Sequence, residues 1–430
     1  MIAMSGLRVN NPQLAELGLT LPGFIERKEV IASLPSLGLL TLAAITPKNI
    51  DVEYIEVDEF SLQSALPGKF DMVAISSFTA QIDEAYALAD KFRELGTCVV
   101  LGGLHVTALP DEAVSHADAI VIGQAEPVWQ ALIADFQSGC LRQVYDTREM
   151  RWSLEDAPIP RYELLDPKKY NRITLQTQRG CPFHCEFCAS SIMLSPTFRY
   201  KPVAKIIDEL RRIKSIWPRP FIELADDNSF ANKNQAKRIV RALAQEDIKW
   251  FTETDISVAD DDELLLMLAD SGCRQLLIGL ESPSASSLKG IELKSDWKQR
   301  RADEYLDAIE RIQRHGISVN GCFVLGLDHH DESIFDNTFD FVRQSGLAEV
   351  QITLQTPFPG TALYNRLHRE GRLLTKRFWN KCTLFDVTFT PQQMSVEQLE
   401  SGFHRLMARL YTTEETSRRK QSFLKRVKHR

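Results

Sequence analysis

The chain has 430 residues, more than one ordinary hydrophobic core accommodates, so two or three domains are expected. With 44% hydrophobic and 25% charged residues it falls in the soluble globular class, and no apolar run is long enough for a membrane span. Residues 1–10 lack the apolar core of a signal peptide, which makes a cytoplasmic protein the expectation. The net charge is −7, although seven Lys/Arg and no acid crowd residues 418–430. An acidic body of this kind argues against a nucleic-acid partner.

In chain order, residues 52–57, 72–76, 98–101 and 119–122 read as strands, with an earlier one near residues 7–9. Helical patterns lie between them around residues 36–44, 82–94 and 127–136. Continuous apolar strands separated by helices signal a parallel sheet covered on both faces. Five such strands suggest a flavodoxin-like (Rossmann-type) doubly wound domain over residues 1–141. Its ligand is expected beyond the strand C-termini, where Ser76, Gly102, Gly103 and Gly123 fall. Prolines in residues 156–167 mark a linker, assigned to 142–171.

A second βα series follows, with strands at 173–178, 221–225, 250–254, 275–280, 319–325 and 350–354. Six units suit an open partial barrel over residues 172–371, with its chemistry at the strand C-terminal ends. From residue 372 to 430 the pattern is mostly helical.

Eight cysteines occur, three of them in the segment Arg179-Gly-Cys-Pro-Phe-His-Cys-Glu-Phe-Cys188. A disulfide framework is foreign to a cytosolic chain of this length, so a metal or redox site fits the cluster better. Thiolates are the ligands of Fe–S clusters, and a cubane normally takes four. Three thiolates from one loop can cap three irons and leave the fourth open to a ligand. A zinc site completed by His184 is the competing reading, but only one Cys-x₂-Cys pair is present.

Cys-x₃-Cys-x-aromatic-Cys after the first strand of a partial barrel resembles the signature of radical S-adenosylmethionine (SAM) enzymes, with Phe187 at the aromatic position. The resemblance implies a [4Fe–4S] cluster on Cys181, Cys185 and Cys188, with SAM on the open iron. It further implies reductive cleavage of SAM to a 5′-deoxyadenosyl radical. The remaining barrel matches are Phe221-Ile-Glu-Leu-Ala-Asp-Asp-Asn228, Thr252-Glu-Thr-Asp255, Gly279-Leu-Glu-Ser282 and Val319-Asn-Gly-Cys-Phe-Val-Leu-Gly326. They nominate Asp226, Asp227, Glu253, Glu281 and Gly321 around SAM, although the more usual Gly-Gly-Glu is absent. Alternation along residues 221–225 turns Glu223 with Phe221 and Ala225, so Asp227 rather than Glu223 is expected at SAM.

The N-terminal segments Pro35-Ser-Leu-Gly-Leu-Leu-Thr-Leu-Ala-Ala44, Ser76-Ser77, Gly102-Gly-Leu-His-Val-Thr107 and Gly123-Gln-Ala-Glu126 resemble the cobalamin (B12)-binding domain of one radical SAM class, which includes hopanoid-modifying and related methyltransferases. That resemblance places cobalamin at Ser76, Gly102, Gly103 and Gly123. The Asp-x-His-x-x-Gly motif of many other cobalamin proteins is absent, and His105 reads as a packing residue before a corrin neighbour. What the resemblance implies is methylation of an unactivated carbon or a phosphorus of a small molecule or lipid. SAM-only rearrangement, cyclisation or oxidation with a vestigial domain is the alternative, and a non-catalytic cluster carrier stands third. An electron donor such as flavodoxin or ferredoxin is implied as partner. Phe423, Leu424 and Val427 among the terminal cations also allow a membrane-surface helix, against a solvated tail.

Overall fold

The computed structural model describes residues 1–4, 14, 34–150, 152–192 and 199–428. Two parallel sheets carry it. The first has the order β2-β1-β3-β4-β5-β6, with β1 Ile2–Met4, β2 Ile55–Val57, β3 Met72–Ser76, β4 Cys98–Gly102, β5 Ala119–Ile122 and β6 Val144–Asp146. This is the flavodoxin-like order with one edge strand added. The apolar runs at β3, β4 and β5 are buried because helices cover both faces. Ser36 starts the helix Leu37–Ile45 by accepting a hydrogen bond from the Leu39 amide.

Two expectations change here. The first strand is Ile2–Met4, and residues 7–9 lie outside the described residues. The sixth strand, Val144–Asp146, falls in a stretch that reads as linker, because three residues of alternating exposure carry too short a pattern to register.

The second sheet runs β7-β10-β11-β12-β13-β14 in sequence order: Ile173–Leu175, Phe221–Leu224, Lys249–Thr254, Cys273–Glu281, Ser318–Leu325 and Glu349–Leu354. Every pairing is parallel, and helices between the strands pack on the outer face, as an open six-unit barrel requires. The outward row Leu175, Leu224, Thr252, Leu276 and Val319 is buried. The inward row one residue on holds Glu253, Leu277, Asn320 and Glu349, so the barrel interior is largely polar. A short antiparallel pair, β8 Gln178–Arg179 with β9 Arg199–Tyr200, lies beside the cysteine loop.

The C-terminal helices close the outer core. Leu399, Phe403, Leu406 and Met407 on Val396–Leu410 join the barrel cluster. In Thr413–Lys428, Arg419 is fully buried and donates to the Leu410 carbonyl, while Arg426 donates to the Ser345 carbonyl. Arg419 therefore fastens this helix to the preceding one, and Arg426 fastens it to the barrel. No helix among the described residues is long and apolar enough to cross a membrane.

Gly402 is where the closing helix touches Ser333–Ser345, and a Cβ there would stand 2.1 Å from the Phe335 ring. Gly402→Ala should destabilise by about 1–3 kcal/mol through overpacking. The check is a thermal scan against Ser401→Ala, an exposed neighbour expected to melt like the parent.

Candidate cluster, SAM and cobalamin site

The cysteine loop leaves β8 and is held at both ends and in the middle. At its start the Arg179 guanidinium pairs with Glu126 at 2.6 Å and Gln124 at 3.1 Å, both on the first domain. In the middle, His184 donates its amide to the Glu292 carboxylate and Cys185 bridges to Glu292. Near its end Glu186 forms a bidentate pair with Arg366 at 2.8 and 2.9 Å, and its carbonyl accepts from the Leu363 amide. The Cys188 amide closes a turn onto the Cys185 carbonyl. Phe187 is half-buried and packs against the barrel core.

The three thiols are mutual electrostatic neighbours. Burial pushes Cys181 up to about 11 and Cys185 up to about 12, the latter against the pull of Lys298, and the neighbouring thiols add to both shifts. Three thiolates here need cationic compensation of the kind an iron cluster supplies. Among the described residues no three His, Cys, Asp or Glu close on a single ion. A cubane does not ask for that, since each thiolate binds a different iron.

The acidic pair after β10 divides. Asp226 is buried, and its carboxylate accepts from the Thr177 amide at 2.7 Å, the Thr177 hydroxyl, the Gln178 amide at 3.0 Å and Ser229 at 3.1 Å. Burial raises it to about 6 despite those bonds. Asp226 therefore holds the strand end from which the cysteine loop leaves. Asp227 instead lines the open cavity and accepts from the Gly180 amide at 3.3 Å. Glu223 turns into the barrel and pairs with Arg172 at 2.5 Å.

Glu253 sits on the inward row. Water reaches its side chain, yet protein encloses it, and that enclosure, then the Glu223 and Asp227 carboxylates, pushes it up to about 7. Glu281 is occupied by Lys298 at 2.8 Å, an ammonium that also donates to the Gly279 carbonyl. Gly321 corrects the sequence reading. Its row, Thr254–Ile278–Gly321–Val350, faces the outer helices, and a Cβ there would meet Leu347 at 2.7 Å and Leu280 at 3.0 Å. The glycine makes room for core leucines, not for a ligand within the barrel.

The four cobalamin candidates come together. Ser76, Gly102, Gly103 and Gly123 line one cavity of about 320 Å³ between the C-terminal ends of both sheets, large enough for a nucleotide tail. Leu39 and Leu42 line it from the first domain, and Gln176, Arg179, Ser190 and Asp227 from the barrel. Gly103 and Gly123 have φ of +113° and +89°, which disfavours any side chain. A Cβ at Gly102 would meet nothing closer than Val121 at 3.9 Å, so the space beside it is open. This cradle fits a bulky cofactor tail. His105 is elsewhere: buried, it contacts Thr79 and Glu112 at 3.3 Å and meets the Trp379 ring edge-on, and burial lowers its pKa.

Family comparisons agree with this geometry. The Radical SAM superfamily matches residues 175–342 and the B12 binding domain matches residues 28–133. The chain is a radical SAM enzyme with a B12-binding domain. A domain of unknown function (DUF4070) matches residues 361–430. Bacteriochlorophyllide d C-12(1)-methyltransferase of Chlorobaculum tepidum is 27% identical over 381 residues, spanning 87% of this chain and 82% of that protein. Hopanoid C-2 methylase of Rhodopseudomonas palustris is 28% identical over 358 residues, spanning 80% and 66%. The structure of the radical SAM methyltransferase TsrM from Kitasatospora setae, with cobalamin and a [4Fe–4S] cluster bound, superposes with a TM-score of 0.63 at 14% identity, over 78% of this chain and 72% of that one. At that identity the likeness speaks to the fold. The two matched families are those that take a [4Fe–4S] cluster with SAM, and cobalamin, as cofactors.

Gln124, Glu126, Gln176, Glu186 and Ser190 are site residues that the sequence reading leaves unassigned. Glu126 and Arg179 lie inside quoted motifs, but nothing local tells that they pair across 53 positions.

Asp227→Ala should weaken SAM binding with the unfolding midpoint unchanged. Asp226→Ala should instead lower the midpoint, since each buried amide left unpaired costs about 1–3 kcal/mol. Calorimetric titration with SAM beside a thermal scan separates the two. Glu253 gives a pH signature in the cofactor-free chain. Its raised carboxyl adds stability below about 4.5 that is lost as pH rises through about 7. Glu253→Gln should remove that loss from a series of melting curves across this range.

Proposed function

We propose that this radical SAM enzyme methylates a carbon or phosphorus centre of a small molecule, using SAM twice, as radical source and as methyl donor by way of cobalamin. The observation that carries the reading is the shared cavity: the strand ends of the cobalamin domain and of the barrel open onto it together, within reach of the cysteine loop. When bound, the cluster with SAM supplies a 5′-deoxyadenosyl radical, and cobalamin supplies the transferable methyl group.

Cys181, Cys185 and Cys188 hold the cluster, with Phe187 packed behind them. Asp227 and Glu253 stand where polar side chains reach SAM, and Asp226 positions the loop from behind. Gly102, Gly103, Gly123 and Ser76 give the backbone clearance that a cofactor tail needs. The barrel interior is prepared for a polar guest, because Asn320 Oδ1, Gln275 Oε1 and Nε2 and Thr174 Oγ1 are buried without a partner. In this reading residues 1–146, with the edge strand Val144–Asp146, form the cobalamin domain, 147–171 link, 172–371 form the barrel and 372–430 close it. The named relatives act on bacteriochlorophyllide d and on a hopanoid, which supports a small-molecule or lipid substrate. The working setting is the cytoplasm, with an electron carrier such as flavodoxin or ferredoxin. A peripheral membrane contact would use the outer side of Thr413–Lys428, where Lys420, Leu424 and Lys425 are exposed.

Anaerobic reconstitution with iron, sulfide and hydroxocobalamin, followed by desalting, tests the assignment. One cluster and one cobalamin per chain are expected, with SAM perturbing the cluster's EPR signal. Gly102→Val should lose cobalamin and keep the cluster, since the surrounding protein leaves room for the new side chain. Cluster-loaded chain that retains no cobalamin would return the enzyme to SAM-only radical chemistry.

A further inference from the structure

The cysteine loop has two sides. One faces the shared cavity through Arg179 and Ser190. The other is backed by residues 289–300, and there the structure exposes a small apolar surface ringed by cations. The Leu293 amide donates to the His184 carbonyl, yet the Leu293 side chain is 56% exposed. Phe183 packs against Trp297 with ring centroids 4.5 Å apart and the planes tilted by 30°, and Pro182 beside it is exposed. Lys294 reaches His184 Nε2 at 3.0 Å, on the residue between two of the cluster cysteines. Arg300, three residues after Trp297, shares its helix face and is exposed, as is Lys289.

The carboxylates of this segment are turned away. Glu292 is buried and accepts from the amides of His184, Lys294 and Ser295, and Asp296 accepts from the Gly290 amide at 2.6 Å. The other two cations are paired elsewhere, Lys298 with Glu281 and Arg301 with Asp260. Lys289, Lys294 and Arg300 thus give local positive charge on a chain whose net charge is −7. A patch with an apolar centre and a cationic rim favours an acidic protein and steers its approach.

We propose that this surface, centred on Pro182, Phe183, Leu293 and Lys294, docks a small acidic one-electron carrier protein. The inference rests on the radical SAM reading. One electron passes from the reduced carrier to the oxidised cluster through the loop; the carrier is oxidised by one electron, and no bond forms or breaks. The docked carrier would lie on the side of the loop away from the cavity, so it would not compete with SAM, cobalamin or substrate.

The experiment uses holoenzyme and flavodoxin. Carbodiimide cross-linking of oxidised flavodoxin should join its carboxylates to Lys289 and Lys294, read by peptide mass spectrometry. The double variant Lys289→Glu/Arg300→Glu should weaken flavodoxin binding about tenfold or more in a titration at low salt, an effect that fades as salt rises. Its cluster should still be reduced by dithionite as in the parent. Leu293→Ser should weaken binding without that salt dependence. Cross-links mapping elsewhere, or charge reversal with no change in binding, would overturn the surface. So would a parent chain reduced by dithionite but by neither flavodoxin nor ferredoxin. Failure of dithionite to reduce any cluster overturns the radical SAM reading, and the surface with it.

Discussion

The loop from Arg179 to Cys188 is fastened to three parts of the chain at once, and the site depends on that. Arg179 ties its start to Glu126 and Gln124, Glu292 holds its middle, and Arg366 grips Glu186 near its end. Desolvation offsets much of the attraction in a buried ion pair, so these links matter less for net stability than for position. Glu126 and Glu186 are largely buried, which raises the cost of breaking either pair. A cluster whose three ligands come from one loop is only as well placed as that loop.

The same fastening sets the relation between the two sheets. Parallel strands put their C-terminal ends on one side, and here both sheets turn that side toward a common cavity. The Arg179–Glu126 pair spans this gap, and a second link lies farther out, where His105 and Glu112 pack with Trp379. A cofactor carried by the first domain can therefore face one bound at the barrel mouth without a hinge between them.

The acidic residues near the mouth illustrate how position divides labour among like side chains. Asp226 spends its carboxylate on the strand that launches the loop, Glu223 on Arg172, and Glu281 on Lys298. Asp227 and Glu253 keep theirs toward the open interior. Chemically these five carboxylates are nearly interchangeable, and what distinguishes them is which donors the fold has already placed within reach.

The spacing of Cys181, Cys185 and Cys188, the continuous apolar strands and the glycines at their ends were legible in the residues, because local patterns encode them. Two parallel α/β units, the cluster loop and the glycine cradle all follow from periods of a few residues. The pairing of Arg179 with Glu126, the inward turn of Arg419 and the outward turn of Gly321 were not, because each depends on register and on partners far along the chain. A glycine in a strand reads the same whether it faces a ligand or a leucine; the sheet's pairing alone decides which. Likewise Asp226 and Asp227 are neighbours with equal claims in sequence, and only the packed strand end, where buried amides converge on the first of them, separates the residue that holds the site from the residue that faces it.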